Sequence, residues 1–256
     1  MTIFHALILG IVEGITEFLP ISSTAHLLFA GRLMGLEQTP FLSSFDIAIQ
    51  LGAIAAVALV VWRKFFADPR LMVVTFVGFL PTAILGAVAY PFVKALLNST
   101  PLIPILALGI GGVILVVFEQ TRRRSLKGGT TLAKARYGQS IAVGFAQALA
   151  FVPGVSRSAA SVVGGMLAGL DRKAAVELSF LLAIPTMAAA TGLDLLKSGH
   201  AFSTHEWMLL AVGLVTSFVT AQIAVRWLLR YIETHTFASF GVYRIVAAII
   251  LAFVLL

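Results

Sequence analysis

Long runs of apolar residues dominate this chain and restrict what it can fold into. Six runs of about 16 to 23 residues cover approximately residues 45–62, 71–90, 101–119, 175–196, 207–228 and 238–256. A helix needs roughly 20 apolar residues to cross the ~30 Å hydrocarbon core of a bilayer, whereas a membrane β-barrel would show short alternating segments. The sequence therefore predicts an all-α polytopic membrane protein with six transmembrane helices.

The composition favours the same class of protein. Hydrophobic residues make up 59% of the 256 residues and charged residues 11%, whereas a soluble domain carries about 25% charged residues. The chain has no cysteine, which excludes disulfides, thiolate chemistry and cysteine-ligated metals. Its net charge of +7 lies mostly between the apolar runs, so it indicates topology and lipid headgroups and not a nucleic-acid partner.

Two further apolar regions are interrupted by polar residues. Residues 3–34 are broken at residues 20–24, and residues 138–170 are broken at residues 153–158. Each half has about 13 to 17 residues, which is too short to span comfortably at 1.5 Å per residue. Proline ends the first half of each region, and the serines and threonine that follow can cap the second half. Both regions are predicted to be re-entrant helix-loop-helix hairpins.

The basic residues predict the topology. Six of them lie in residues 120–136, so this loop should be cytoplasmic. Counting spans outward from the loop places most other cations on the same side, provided that both broken regions are hairpins: Arg63, Lys64, Arg70, Arg172, Lys173, Arg226 and Arg230. Hairpin one then enters from outside and hairpin two from inside, so their tips would meet near the midplane. Arg244, near the start of the last span, is expected to snorkel to the interface.

Opposed hairpins are typical of an inverted-topology repeat. Two short motifs recur in the two halves: Phe18-Leu19-Pro20 as Phe151-Val152-Pro153, and Leu80-Pro81-Thr82 as Ile184-Pro185-Thr186. We therefore predict a single integral membrane domain over residues 1–256. Repeat one covers about residues 1–119, the cytoplasmic basic loop about 120–136, and repeat two about 137–256.

Residues that can carry chemistry gather around the first break. Glu13 and Glu17 lie one helical turn apart, which suits a divalent-cation site or an acid/base pair, although two structural glutamates are the alternative. Ser22 and Ser23 can cap the returning helix or bind phosphate, and Ser23 can act as a nucleophile. His26, on the first turns of that helix, can serve as acid, base or nucleophile.

The second break carries a complementary set. The guanidinium of Arg157 lies in apolar sequence and needs a partner, and phosphate or carboxylate fits its fork. A salt bridge to one of the two glutamates is the alternative interpretation. Gly154, Ser156 and Ser158 supply backbone and hydroxyl donors around it, so together these residues suggest a phosphate cradle. The two breaks are best interpreted as two halves of one phosphate site.

These two segments resemble the undecaprenyl-diphosphate phosphatase family of the bacitracin-resistance type. The resemblance rests on residues 13–26, EGITEFLPISSTAH, and on residues 153–161, PGVSRSAAS, and the apolar framework extends it over essentially the whole chain. Two positions depart from the family pattern. Ala25 stands where glycine is usual, and Ser161 stands where threonine is usual but keeps a hydroxyl for a phosphate contact.

The resemblance implies hydrolysis of undecaprenyl diphosphate to undecaprenyl phosphate, which recycles the lipid carrier for peptidoglycan and other cell-wall polymers and confers bacitracin resistance. It implies a bacterial cytoplasmic (inner) membrane protein whose active site opens toward the periplasmic or outer face. It also implies a divalent cation, Mg²⁺ or Ca²⁺, and assigns active-site roles to Glu13, Glu17, Ser23, His26 and Arg157.

The expected partners are the polyprenyl diphosphate and membrane lipids, with a homodimer as the protein partner considered. Two questions stay open at this point. The nucleophile could be Ser23, His26 or water. The alternative function is a polyprenyl-phosphate flippase or another secondary transporter with the same midplane site, because inverted repeats with half-helices are common among secondary carriers.

Overall fold

The computed structural model describes residues 1–97, 100–122, 129–198 and 202–255. Three cations of the predicted cytoplasmic loop, at positions 123, 124 and 127, lie outside these ranges. Within them, the chain forms helices and no β-strand, apart from one isolated bridge between Thr130 and Leu170. The helices α1 to α11 are Ile3–Thr16, Ser23–Leu33, Pro40–Ala48, Gln50–Ala67, Pro69–Leu97, Leu102–Arg122, Tyr137–Ala148, Arg157–Leu167, Arg172–Ser198, Thr204–Thr234 and Ala238–Leu255.

Six helical segments of the described ranges are long and apolar enough to cross a membrane, with α3 and α4 acting as one segment. They are Pro40–Ala67, Pro69–Ala89, Leu102–Arg122, Arg172–Asp194, Thr204–Thr234 and Ala238–Leu255. Each coincides with one predicted apolar run to within several residues. The prediction of an all-α polytopic membrane protein with six long spans is confirmed.

The two broken regions form pairs of short helices. Helices α1, α2, α7 and α8 have 14, 11, 12 and 11 residues, well below the roughly 20 that a span needs. The second break also contains a short 3₁₀ helix, Leu149–Phe151. Ser156 caps α8 by accepting a 3.2 Å hydrogen bond from the Ala159 N–H. Ser22 stands at the N-cap of α2 but makes no side-chain capping bond, so the predicted cap holds only at the second break.

Glycines let the short helices pack closely against long ones. A Cβ at Gly14 of α1 would collide with the Ser217 carbonyl and the Thr220 hydroxyl of α10. A Cβ at Gly144 of α7 would likewise collide with the carbonyl oxygen of Gly78 in α5. Small residues at such crossings let the backbones approach, which favours helix association where the hydrophobic effect is weak.

Ion pairs join several helix ends at one end of the bundle. Lys64 Nζ lies 2.6 Å from Glu177 Oε1 and links the end of α4 to α9. Arg172 Nη2 donates to both Glu119 oxygens, at 2.9 and 2.7 Å, and links the start of α9 to the end of α6. The Phe237 N–H, just before α11, donates to the same carboxylate at 3.0 Å. We call this the basic end, because it gathers cations that the topology prediction placed together.

Arg244 contradicts its prediction. Its side chain does not snorkel to the interface but is only 1% exposed, among the largest fully buried side chains of the described residues. It donates hydrogen bonds to backbone carbonyl oxygens, including those of Pro20 and Gly154 in the two breaks. The prediction failed because carbonyls of the two breaks and of α6 converge inside the bundle, and these acceptors satisfy the guanidinium where it lies.

We predict that Gly14→Ala weakens the α1–α10 contact. The added methyl group meets the Ser217 carbonyl, which belongs to a helix backbone and cannot move independently. Overpacking of this kind costs about 1–3 kcal/mol. Thermal unfolding of the purified protein in detergent measures the effect.

Gly31→Ala is the matched control in the partner helix α2. A Cβ at Gly31 meets no atom within 4 Å, and alanine is favoured over glycine inside a helix by roughly 0.5–1 kcal/mol. We expect its unfolding temperature to equal or exceed that of the parent protein. Equal unfolding temperatures for Gly14→Ala and the parent would contradict the proposed close contact.

Candidate functional site

The structure brings the two breaks against each other. The Ser158 hydroxyl of the second break donates to the Leu19 carbonyl of the first at 2.8 Å. The Phe18 ring packs edge to face on Phe180 of α9, with ring centroids 5.2 Å apart. These contacts place the two polar segments side by side, although Pro20 and Pro153 lie 133 positions apart in the sequence.

Glu17 is the point where the two polar sets meet. Its Oε1 accepts a 2.8 Å hydrogen bond from Arg157 Nη2, and its Oε2 accepts a hydrogen bond from the Ser23 hydroxyl. The side chains of Glu17 and Arg157 are 6% and 12% exposed. The salt bridge that the sequence left as an alternative therefore forms, and it forms with Glu17. Because the Ser23 hydroxyl donates to the same carboxylate, Glu17 links the guanidinium of one break to the hydroxyl of the other.

Several other contacts hold Arg157 in place. Its guanidinium lies 5.1 Å from the Phe18 ring centroid, a cation–π distance. Nη1 donates to the Ser179 carbonyl at 3.3 Å and Nη2 approaches the Met187 sulfur at 3.4 Å. Nε has no hydrogen-bond partner among the described residues. Aromatic and backbone contacts thus orient the arginine, and beyond its salt bridge to Glu17 its Nε–H donor is still available for a second acceptor.

Glu13 lies one turn before Glu17 and is fully buried. Both of its carboxylate oxygens lack a hydrogen-bond partner among the described residues. A buried carboxylate without a partner is costly and requires a proton or a cation. Within the described ranges, no group of three or more His, Cys, Asp or Glu side chains could hold a metal by itself. A cation at this pair would therefore need further ligands from water or from a bound phosphate, as Mg²⁺ commonly does.

A cavity of about 180 Å³ opens beside this cluster. Residues of both breaks line it, together with polar residues of α4, α5, α7 and α9: Glu17, Ser22, Ser23, Thr24, Ser156, Arg157, Gln50, Thr82, Gln147 and Thr186. Apolar residues such as Phe151, Val155 and Ala190 complete the wall. A concave site with convergent polar groups and an apolar wall is typical of a small-ligand or substrate site.

The backbone at the first break is strained where it borders the cavity. Among the described residues, Ser22 is the one non-glycine residue with a positive φ, 72°. Such a conformation costs about 1–3 kcal/mol and is concentrated at functional sites. The turn carries the Ser22 carbonyl toward His26, whose Nδ1 lies 2.7 Å from that oxygen. At the second break, Gly154 adopts φ 93°, where glycine pays no such cost.

The His26 ring points away from the Glu17–Arg157 pair. Its Nε2 lies 2.7 Å from the Tyr243 hydroxyl of α11, and the two rings are stacked with centroids 5.6 Å apart. A carbonyl oxygen only accepts hydrogen bonds, so Nδ1 carries a proton toward Ser22, and the neutral ring accepts the Tyr243 O–H at Nε2. His26 is not among the residues that line the cavity.

Two predicted phosphate ligands, Ser158 and Ser161, lie behind the cavity wall. Ser161 is fully buried, donates to the Arg157 carbonyl at 2.8 Å and lies 2.6 Å from the Ser179 hydroxyl. Ser158 is 1% exposed and is engaged with Leu19. Neither lines the cavity, so both support the backbone around Arg157, and their phosphate contacts stay a prediction. Gly154 is not among the lining residues either.

The predicted site residues did not include Gln147, Thr82 and Thr186, three polar side chains that line the cavity together. Gln147 Nε2 donates to the hydroxyls of Thr82 and Thr186, at 3.1 and 2.9 Å. Both threonines donate their own protons to main-chain carbonyls at 2.7 Å, so the glutamine must present its amino group to them. The recurring Pro-Thr motif was the available signal, because its two threonines converge on Gln147. No comparable signal marked Tyr243.

A larger depression, about 580 Å³, lies elsewhere and holds none of the predicted site residues. Met1, Leu36, Glu37, Phe41 and Phe202 are among the residues that line it. It therefore joins the beginning of α1 to the segments that follow α2 and precede α10. Its size does not make it the candidate site, because it lacks the convergence of acid, hydroxyl and arginine found between the breaks.

Comparison with known proteins gives consistent matches. Residues 6–250 match the family described as "Bacitracin resistance protein BacA". A relative named undecaprenyl-diphosphatase, from Sulfurihydrogenibium sp. (strain YO3AOP1), is 44% identical over 250 residues and 98% of each chain. Relatives of the same name from Aquifex aeolicus (strain VF5) and Wolinella succinogenes are 42% and 44% identical, and the matches cover at least 98% of each chain.

We predict that Ser161→Thr is mild, because threonine keeps the hydroxyl that bonds to Ser179 and to the Arg157 carbonyl. The free energy of unfolding should change by less than about 1 kcal/mol, whereas Ser161→Ala leaves the Ser179 hydroxyl unpaired and should cost about 1–3 kcal/mol. Thermal unfolding of the two variants tests this order. A larger loss for threonine than for alanine would show that the buried site is shaped for serine.

Proposed function

The chain belongs to the family of the bacitracin resistance protein BacA, and from this premise we propose that it hydrolyses undecaprenyl diphosphate to undecaprenyl phosphate and inorganic phosphate. Relatives named undecaprenyl-diphosphatase, 42–44% identical over nearly the whole chain, support this activity. One structural observation connects the activity with particular atoms: beside a cavity, the Glu17 carboxylate accepts hydrogen bonds from both Ser23 and Arg157. These relatives are named for hydrolysis of the diphosphate and not for transport.

The site suits a diphosphate attached to a lipid. Helices α2 and α8 begin at Ser23 and Arg157, so both direct N-terminal N–H groups and a positive dipole end toward the breaks. The guanidinium adds a fork that matches phosphoryl oxygens. The diphosphate would occupy the polar cavity while the isoprenoid chain remains in the bilayer. Arg157 binds and orients the terminal phosphoryl group in this arrangement.

The geometry favours Ser23 as the nucleophile. Glu17 Oε2 accepts the hydrogen bond from the Ser23 hydroxyl and is placed to take its proton. The serine oxygen then forms a bond to the terminal phosphorus while the bond from phosphorus to the bridging oxygen breaks. Undecaprenyl phosphate leaves with that oxygen, and Arg157 stabilises the charge on the transferred phosphoryl group.

A second step regenerates the enzyme. Water attacks the phosphorus of the phosphoserine, the P–O bond to Ser23 breaks, and inorganic phosphate is released. Glu17 returns its first proton to the serine oxygen and accepts one from the attacking water. It then passes this second proton to the departing inorganic phosphate, so that it ends as the carboxylate with which it began. His26 is less suited to either step in this conformation, since Ser22 and Tyr243 occupy its two ring nitrogens.

The proposed cofactor is a divalent cation, Mg²⁺ or Ca²⁺, held by Glu13 and Glu17. The two unpartnered oxygens of Glu13 fit such an ion, which would complete its shell with water and phosphate oxygens. When bound, the ion supplies positive charge that neutralises the phosphoryl oxygens. This role also accounts for a fully buried carboxylate that otherwise must be protonated.

We propose that the short helices form two re-entrant hairpins related by an inverted repeat. Helix α1 packs on α10 through the Thr220 hydroxyl, which donates to the Gly10 carbonyl at 3.4 Å. Helix α7 packs on α5 in a corresponding way, through the Thr82 hydroxyl and the Gly144 carbonyl at 2.7 Å. In the proposed repeat, α1 of the first half corresponds to α7 of the second, and α5 corresponds to α10. Each short helix therefore packs on a long helix of the other half, and this reciprocal packing supports an inverted repeat.

The ends of the short helices support opposite entry. After α8, the Gly169 carbonyl accepts from the Thr130 N–H at 2.9 Å, which places the end of α8 beside the loop leading to α7. Arg172, three residues later, belongs to the basic end. The beginning of α1 and the segment after α2 instead share a depression with Phe202, which precedes α10. Since α10 runs from there toward the basic end, the two hairpins would enter from opposite faces.

Distances along α9 support a cavity that opens away from the basic end. Along α9, Thr186 and Ala190 of its wall are about 21 and 27 Å from Arg172 at 1.5 Å per residue. If the basic end is cytoplasmic, the site opens toward the periplasmic or outer face of a bacterial inner membrane. A homodimer stays a prediction that this site does not require, because both breaks belong to one chain.

Phosphate release from undecaprenyl diphosphate in detergent tests the proposal. Purified full-length protein with Mg²⁺ should release one phosphate per lipid and leave undecaprenyl phosphate, and a chelator should abolish release until Mg²⁺ or Ca²⁺ is restored. Intact substrate after incubation with either ion would reject the phosphatase assignment. Transfer of the intact lipid between the two leaflets of vesicles that contain the protein would then favour the transport alternative.

We expect Glu17→Gln and Arg157→Ala to abolish most turnover in folded protein. Loss of a catalytic base costs about 10²–10⁴-fold in rate, and loss of one charge-stabilising donor costs about 10²–10³-fold. Glu233→Gln and Arg226→Ala are matched controls at exposed positions of α10, and they should retain parental rates. A parental rate in Glu17→Gln or Arg157→Ala would remove the corresponding role.

Trapping of a phosphoenzyme identifies the nucleophile. Acid quenching during turnover of substrate labelled in its terminal phosphate should place the label on Ser23, and Ser23→Ala should lose both label and activity. Label on His26 would assign the attack to the imidazole. Turnover by Ser23→Ala, or label on no side chain at any quench time, would indicate direct attack by water.

A further inference from the structure

Arg244 is a buried cation that the proposed reaction has not used. Its guanidinium donates four hydrogen bonds, all to backbone carbonyl oxygens. Nε donates to Leu108 at 3.1 Å and Nη2 to Ala107 at 3.2 Å, both in α6. Nη1 donates to Pro20 at 3.3 Å, and Nη2 also donates to Gly154 at 3.2 Å. One side chain from α11 therefore joins a transmembrane helix to both breaks.

No carboxylate neutralises this arginine among the described residues. The ion pairs of those residues involve Lys64, Arg157, Arg172 and Lys173. A buried arginine held only by neutral carbonyls keeps a positive charge beside the breaks, so it would be costly as a purely structural filler. Two of its hydrogen bonds reach carbonyls of the breaks, Pro20 and Gly154, and two reach carbonyls of α6, and these four acceptors together explain how the charge is tolerated.

The guanidinium has no room to move. A Cβ at Gly111 of α6 would collide with Arg244 Nη2, and a Cβ at Gly112 would lie 2.9 Å from the arginine Cβ. Gly154 is equally confined, because a Cβ there would collide with the Pro104 carbonyl. Close packing therefore joins the second break to α6 and α11, and the guanidinium lies where these three elements meet.

The two anchored carbonyls occupy corresponding places before the reacting groups. Pro20 is three residues before Ser23, and Gly154 is three residues before Arg157. Each carbonyl lies just ahead of the helix whose first residue carries the chemistry. A shift of either carbonyl would therefore displace Ser23 relative to Arg157.

We propose that Arg244 is a positioning residue for phosphoryl transfer, fixing the first break against the second so that Ser23 and Glu17 meet Arg157. The inference rests on the phosphatase function proposed above. Ser158 also joins the breaks through Leu19, and Arg244 adds hydrogen bonds that tie both of them to α6. It touches no reacting atom, and it acts through the alignment of groups that do.

The test compares Arg244→Lys, Arg244→Gln and Gly111→Ala. Glutamine removes the charge and most donors, and lysine keeps the charge but cannot reach four carbonyls from one atom. Gly111→Ala leaves the arginine in the chain and displaces its guanidinium. Gly109→Ala is the matched control in α6, since its Cβ would meet Ala248 at 3.3 Å and not Arg244.

The measurements are thermal unfolding, kcat and KM for undecaprenyl diphosphate, well below the unfolding temperature. A misplacement of about 1 Å can lower the rate about 100-fold, so we expect a kcat loss of that order in Arg244→Gln. Arg244→Lys and Gly111→Ala should lose about tenfold, and KM should change less than about threefold, because substrate is still bound but misaligned. Gly109→Ala should keep the parental kcat.

A readout that does not depend on turnover accompanies the kinetics. The chain has no cysteine, so Ile21→Cys, at a position that is 5% exposed, reports on the first break. Alkylation of this variant by maleimide should accelerate at least about tenfold when Gly111→Ala or Arg244→Lys is added, because loss of a hydrogen bond from the charged guanidinium frees the loop.

Three outcomes overturn the proposal while the parent protein remains active. One is a parental kcat in folded Arg244→Lys and Gly111→Ala, and another is an activity loss that matches only the unfolded fraction. The third is a rise in KM with unchanged kcat, which would make Arg244 a substrate-affinity residue. If the parent itself releases no phosphate, the phosphatase function fails, and the alkylation rates alone then decide whether Arg244 fixes the break.

Discussion

Two broken helices meet inside an apolar bundle, and the polar groups exposed by the breaks must find partners within the protein. Buried polar groups of this kind are costly without a partner, so the free carbonyls and the charged side chains depend on specific contacts. Arg244 donates hydrogen bonds to the carbonyls of Pro20 and Gly154. Glu17 accepts hydrogen bonds from Arg157 and Ser23. The same requirement that stabilises the breaks therefore assembles the candidate site.

Burial explains why this arrangement is suited to phosphoryl transfer. The Glu17–Arg157 pair costs desolvation that its attraction only partly offsets, so it adds little to stability. The same low-polarity surroundings strengthen the interaction of Arg157 with any phosphoryl group that enters the cavity. The pair is better understood as a preorganised site than as a device that holds the bundle together.

The sequence predicted what local patterns determine. Apolar length indicated six spans, and proline with serine marked both breaks, because these features act within one helical turn or one span. It did not predict the roles of Arg244 and Tyr243, since each depends on a partner more than 80 residues away. Choosing Glu17 over Glu13 as the partner of Arg157 also required the packing angle between α1 and α8, which no local pattern contains.

The contrast between the two glutamates has a consequence for the catalytic cycle. Glu17 already accepts hydrogen bonds from Ser23 and Arg157, whereas neither carboxylate oxygen of Glu13 has a hydrogen-bond partner among the described residues. In the proposed mechanism, an arriving phosphoryl group competes with Glu17 for the guanidinium of Arg157. The Glu17 carboxylate can then turn from the arginine to the Ser23 hydroxyl that it already contacts, so that substrate binding and the proposed proton transfer from Ser23 are coupled.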